Sequence, residues 1–177
     1  MFNPFTIVNE HTPIQHTDFP RHGYIWIFGY KVAVSREIYI PPGGPPRIPK
    51  PSDDIFSAMG EKGVFGMLAD FYRRLGQSQI RHLFPDGEEA LVEASRKSAA
   101  FFVQIIGGPP LFSQTYGAPK MRERHLPFEI DAAAREEWLR CFGEILAVAP
   151  ERYGFPPEHL PGFRTWLEGF SAWMVNK

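Results

Sequence analysis

Between Gly87 and Ile106 the apolar positions fall at steps of three, four, three and four: Leu91, Ala94, Ser98, Phe101 and Ile105. That spacing places them on one stripe of a long helix. Val64, Met67, Leu68, Phe71, Tyr72 and Leu75 repeat the pattern over 63–76, behind a shorter helix near 53–59. Gly60 and Gly63 are expected to break the chain between those two. The segment 131–150 is a third amphipathic helix. Asp131 is its cap, and Trp138, Cys141, Phe142 and Ile145 form its apolar face. A last helix is expected over 157–175, with Phe163, Trp166, Leu167, Phe170 and Trp173 inward.

Breakers punctuate these helices. Pro85 makes RHLFPDG (81–87) a corner, because the residue before a proline is pushed out of helical angles. Gly107-Gly108-Pro109-Pro110 ends the long helix. Residues 111–118 then read as loop. A short helix from Pro119 to about His125 follows, stopped by Pro127. Before residue 52 the pattern changes: nine of the 18 prolines lie there, and PPGGPPRIPKPSDD (41–54) reads as a stiff linker. Aromatic and β-branched residues over 23–42 suggest two short strands, near 24–28 and 31–39. The expected organisation is an N-terminal extension and linker, 1–52, and an all-α domain, 53–177.

Length and composition narrow the function classes. A chain of 177 residues, 44% hydrophobic, holds one compact domain with a substantial core. A net charge of −1 gives no field for nucleic acid or an anionic membrane. No apolar run is long enough to span a bilayer. The start shows no basic segment followed by an apolar run, so no signal peptide is expected. The lone Cys141 excludes an internal disulfide, and a cytoplasmic location is expected. His11, His16 and His22, spaced five and six apart, fit no helical or finger-type metal site.

The region 107–125 is short of regular structure in the middle of a helical domain, which suggests that something other than protein fills it. A flat apolar cofactor against the Leu91–Ile105 stripe, held from the other side by His125, meets that need. A neutral imidazole is an axial ligand for haem iron. Arg122 and Arg124 stand near enough in sequence to reach haem carboxylates. A histidine packed in the core is the alternative on these grounds alone.

The stretch GGPPLFSQTYGAPKMRERHLPFEI (107–130), with Trp138 thirteen residues after His125, resembles the truncated haemoglobins, most closely their second group. The likeness extends back through Asp70-Phe71-Tyr72 and His82 to Pro85 and covers roughly 55–177. It implies a shortened globin fold, two helix pairs around haem b, with His125 as the iron ligand. It implies a ligand pocket containing Tyr72, Trp138 and Ser98. Phe84 falls at the haem edge, Ala94 over the iron, and Phe101 and Phe102 in the wall. Ala118, where the family more often has histidine, and Phe112, where tyrosine is common, are departures that leave the iron ligand intact.

The implied function is binding of dioxygen, carbon monoxide or nitric oxide at ferrous iron, with oxygen transport as one use. The alternative is a haem enzyme: a nitric-oxide dioxygenase, a peroxidase or a sulfide-handling protein, supplied by a separate electron donor. A cofactor-free helical interaction module is the third reading. The extension is open to three roles: covering the haem edge, joining two copies in a homodimer, or docking another partner.

Overall fold

The computed structural model describes residues 24–27, 30–33 and 36–177, so His11, His16 and His22 lie outside the described residues. Two strands, β1 (Tyr24–Ile27) and β2 (Tyr30–Ala33), pair antiparallel, with Tyr24 opposite Ala33 and Ile27 opposite Tyr30. The second is shorter than its sequence suggests: from Arg36 to Ile40 the chain has left the sheet.

The helical body contains α1 (Asp54–Leu75), α2 (Glu88–Ile105), α3 (Leu111–Tyr116), α4 (Met121–His125), α5 (Ala132–Tyr153) and α6 (Leu160–Met174). The α1 helix packs on α2 and α5, and α5 packs on α6. Two helix pairs, α1 with α2 and α5 with α6, thus meet through α1 and α5, while the short α3 packs on α2 and α4 on α6. The core between the pairs holds a cluster of aromatic rings: Phe71, Phe102, Phe142, Phe155 and Phe163 are all buried. Phe142 contacts three of these rings, at centroid distances of 4.3 Å to Phe71, 5.6 Å to Phe102 and 6.0 Å to Phe163.

The break in α1 is at Gly60 alone, where φ is 61° and ψ 178°. Gly63 serves a different purpose. A Cβ there would lie 2.6 Å from the Tyr153 carbonyl oxygen, so its bare backbone lets α1 approach the end of α5. At the other end of the corner, Phe84 is extended (φ −114°, ψ 156°), as Pro85 requires.

Residues 111–118 are not all loop. Pro110 stands at the cap position of α3, where a missing amide donor is harmless. The Gln104 side chain accepts from the Ser113 amide at 3.0 Å and ties the new helix to α2. The α4 helix begins at Met121, after a left-handed Lys120, rather than at Pro119. As expected, α5 is capped by Asp131, whose carboxylate accepts from the Ala134 amide at 2.8 Å.

The face by which α2 packs on protein is wider than the Leu91–Ile105 stripe. Ser95, Ala99, Ala100, Phe101, Phe102 and Val103 are its buried residues. Ala94, Ser98 and Phe101, on the neighbouring stripe, look into a cavity.

Candidate functional site

The cavity measures about 300 Å³ and lies between α2, α5, α6 and the short α4. Its lining is mostly apolar. Phe84 comes from the corner, Phe101 and Phe102 from α2, Phe112 from α3 and Trp138 from α5. Tyr72, Ala94, Ser98, Arg124 and His125 also line it. Residues far apart in sequence therefore converge on one space, and one expected residue does not.

That residue is Arg122, which is not part of the cavity wall. Its guanidinium is taken up elsewhere: it stacks on the Trp173 ring at 4.2 Å and donates to the carbonyls of Trp173, Val175 and Tyr39, the last at 2.7 Å. Three backbone acceptors and an aromatic face hold it away from the cavity. Arg124 does reach the wall, but its donors are committed to the loop. They bond the carbonyls of Tyr116 (2.7 Å), Ala118 (3.0 Å) and Pro119 (2.8 Å). Its charge faces the cavity while its hydrogen bonds fix the turn into α4. Ala118 thus contributes a carbonyl to this loop instead of a polar side chain.

His125 closes α4. Its Nδ1 lies 2.6 Å from the Met121 carbonyl oxygen. A carbonyl only accepts, so Nδ1 carries the proton and Nε2 keeps its lone pair. Burial lowers the His125 pKa below its usual range; the bond to Met121 opposes this, and the nearby Arg124 charge adds to it. The ring is therefore neutral at pH 7, oriented, and free at one nitrogen. This is the donor geometry that an axial haem ligand needs.

Tyr72 and Trp138 also stand in the wall. Burial raises the Tyr72 pKa, partly offset by the Ser98 hydroxyl, so the phenol stays protonated. The Tyr72 ring is set edge-on to Phe84 at 5.7 Å and to Phe71 at 5.9 Å. Trp138 is edge-on to Phe71 at 5.4 Å. Both donors are thus held by rigid aromatic neighbours rather than on loops.

Two wall residues carry charge that the sequence reading does not single out. Lys97 sits over the Tyr116 ring at 5.1 Å. Burial and the Arg124 charge lower its pKa, against the pull of Glu93. Arg135 lines the far side, donating to the Ser171 hydroxyl at 3.1 Å. The signal for Lys97 is its place three residues after Ala94, on the side of α2 that faces the cavity. The donor set suits haem: one free imidazole nitrogen, flat aromatic walls, and cations for two carboxylates.

Comparison with known proteins decides the family. The family model described as Bacterial-like globin matches residues 54–153, more than half of the chain. The chain belongs to this globin family. The group 2 truncated hemoglobin YjbI of Bacillus subtilis is 34% identical over 92 residues, covering 51% of this globin and 67% of that protein. Among solved structures, Hell's gate globin IV is similar at 37% identity and a TM-score of 0.68, covering 75% of this chain and 80% of its own. A truncated oxygen-avid haemoglobin from Bacillus subtilis matches at 32% identity and a TM-score of 0.60, covering 68% and 98%. The globin is therefore an all-α truncated haemoglobin of the group II kind, and a globin of this family implies a haem cofactor.

Proposed function

We propose that this globin holds haem b through His125 Nε2 and takes dioxygen, carbon monoxide or nitric oxide at ferrous iron. The observation that carries this reading is the 2.6 Å contact from His125 Nδ1 to Met121, which leaves Nε2 free in a cavity shared with Tyr72 and Trp138. Haem, when bound, supplies the iron chemistry; the chain supplies orientation, donors and exclusion of water. The b type is favoured because the one cysteine, Cys141, is buried and not part of the cavity wall, so no thiol is placed for covalent attachment.

Each side of the cavity then has a task. Phe84, Phe101 and Phe102 pack the faces and edge of the ring. Lys97 and Arg124, with Arg135, face its carboxylates. Ala94 leaves space above the iron. Tyr72 and Trp138 donate to a ligand that gains partial negative charge on binding, and a dry setting strengthens such bonds. Ser98 orients the Tyr72 hydroxyl.

The experiment is an absorption spectrum of the full chain, oxidised, reduced and exposed to carbon monoxide, beside His125→Ala. The wild type is expected to show a Soret band that shifts with each state. Loss of that response in the variant supports the reading, and an unchanged response overturns it.

A second reading is a haem redox enzyme on the same scaffold, for nitric-oxide dioxygenation, peroxide reduction or sulfide. What favours it is the pair of donors, Tyr72 and Trp138, which slow ligand release and so suit reaction better than transport. Turnover would draw on a separate electron donor. Sustained turnover with a reducing system supports it, and a single stoichiometric reaction eliminates it.

A further inference from the structure

The helix that carries His125 has five residues. One isolated turn is not stable in water, and the carbonyls at its end have no partners within the helix. Here the Phe128 amide meets the His125 carbonyl locally at 3.1 Å, and the remaining donors come from Arg36, ahead of the globin body, and Asn176, in the C-terminal tail. The His125 carbonyl accepts from Asn176 Nδ2 at 3.1 Å. The Leu126 carbonyl, one residue on, accepts from Arg36 Nη2 at 2.9 Å. The same guanidinium reaches the Phe128 carbonyl at 3.1 Å and the Asn176 side chain at 2.5 Å, and its other nitrogen reaches the Asn176 carbonyl at 2.6 Å.

Asn176 is 1% exposed, and its backbone amide bonds the Ile130 carbonyl at 2.9 Å. From the α4 side, Arg122 donates back to the Val175 and Tyr39 carbonyls. The Tyr39 amide closes the circuit by donating to the Asn176 carbonyl at 3.1 Å. The stub helix is thus gripped by a segment that precedes the family match and by a tail that follows it, since that match spans only 54–153.

We propose that Arg36 and Asn176 are positioning residues for His125: the segment before the globin body and the C-terminal tail form a clamp that sets how the imidazole presents Nε2. This rests on His125 being the haem ligand. A buried amide and a multiply bonded guanidinium at carbonyls within three residues of that ligand have no role in the core. What they fix is the end of α4, and with it the direction of the ring.

The test uses the full haem-loaded chain and the iron–histidine stretching band of the reduced protein, together with the rate of haem loss to an acceptor apoprotein. Arg36→Ala is expected to move the band to lower frequency, broaden it, and speed haem loss by about tenfold or more, since it removes four hydrogen bonds from one charged donor. Asn176→Asp replaces the donor to the His125 carbonyl by a carboxylate oxygen while keeping an acceptor for Arg36, and is expected to shift the band in the same sense. Arg36→Lys keeps the charge without the fork and is expected to fall between.

Leu146→Ala, in the core of α5, separates positioning from stability. It is expected to lower the thermal midpoint and leave the band in place. The clamp is overturned if Arg36→Lys and Asn176→Asp both keep the wild-type band, or if Leu146→Ala moves it as far as they do. Should Arg36→Ala fail to fold, those milder variants still decide. A wild-type protein with no such band, or one that survives His125→Ala, sinks the ligand assignment itself and is distinguishable from either result.

Discussion

His125 Nδ1 and the Met121 carbonyl oxygen lie 2.6 Å apart, one turn from each other on the same five-residue helix. The bond does for the ring what a covalent tether cannot: it selects the tautomer and the angle. This separates two free ligands. His125→Gly, loaded with haem, is expected to accept imidazole and regain a wild-type-like spectrum. 1-Methylimidazole has the same metal-binding nitrogen but cannot donate to Met121. It is expected to bind about tenfold more weakly, the worth of one buried hydrogen bond. Titration of both ligands, followed in the Soret region, checks this; equal affinities would show that the Met121 contact does not matter.

Tyr72 and Trp138 come from different helices, α1 and α5, yet line one cavity. If both donate to the bound gas, each removal speeds dioxygen release. Tyr72→Phe and Trp138→Phe are each expected to raise the release rate about tenfold. The double variant is expected to fall short of the product, because the two share one acceptor. Stopped-flow displacement by carbon monoxide measures all four rates. Unchanged rates in both single variants would count against a donor role.

How much of this is legible in the sequence differs by element. The long helices are readable because apolar residues recur with the helical period, and the His125 region is readable because its motif is dense in glycine, proline and charge. Period alone cannot tell a face that meets protein from a face that meets a cavity, since both are apolar. Hence the Leu91–Ile105 stripe is real, yet Ala94, Ser98 and Phe101 turn to the cavity while Ser95, Ala99 and Val103 pack on protein. The α3 helix is too short to show a period, and its preceding prolines resemble a break.

Direction is the other thing that spacing leaves open. Arg122 and Arg124 both lie within three residues of His125, but carbonyls of the C-terminal tail capture the first and the Gly117 loop captures the second. Arg36 meets Asn176 across 140 residues, a contact for which no local pattern exists.

Gly107 explains why the turn after α2 is written with glycine. Its φ is 101°, and a Cβ there would stand 2.5 Å from the Asp53 Cβ at the start of α1. Gly107→Ala is therefore expected to lose about 2–4 kcal/mol from strain and overlap together. Gly87→Ala is the comparison. Its φ is 87° but nothing lies within 4 Å of the added carbon, so about 1 kcal/mol is expected. Urea unfolding of both variants tests the difference, and equal losses would mean that the Asp53 contact relaxes away.

Asp131 caps α5 through the Ala134 amide at 2.8 Å, and the same helix carries Trp138 one to two turns further on. Asp131→Ala is expected to lower stability by about 1 kcal/mol, and Asp131→Asn by less. Both are measured by the shift in the urea midpoint. A loss as large for asparagine as for alanine would point to charge, not the cap bond, as the source.

Asp70 ties α1 to the end of α5. Its carboxylate accepts from the Tyr153 hydroxyl at 2.5 Å and pairs with Arg73 at 2.6 Å and Arg152 at 2.7 Å. Burial would raise its pKa, but the hydroxyl and the two guanidinium groups outweigh burial and hold it below the usual range. The same contact, added to burial, pushes Tyr153 up to about 12. A carboxyl depressed on folding adds stability above its unfolded pKa of about 3.9, and that contribution disappears as pH falls through the lower folded value. The phenol works in the other sense: its contribution is present below about 10, the unfolded value, and is lost as pH rises through its folded value. Asp70→Asn is thus expected to be less stable by about 1 kcal/mol at pH 7, both arginines being largely exposed. The gap should narrow toward zero as pH falls from about 3.9 through the lower folded value. Unfolding in urea at several pH values gives the curve. A gap that stays constant down to pH 2, on the order of the neutral-pH value, would place the effect of the substitution in packing and not in the ionised carboxylate.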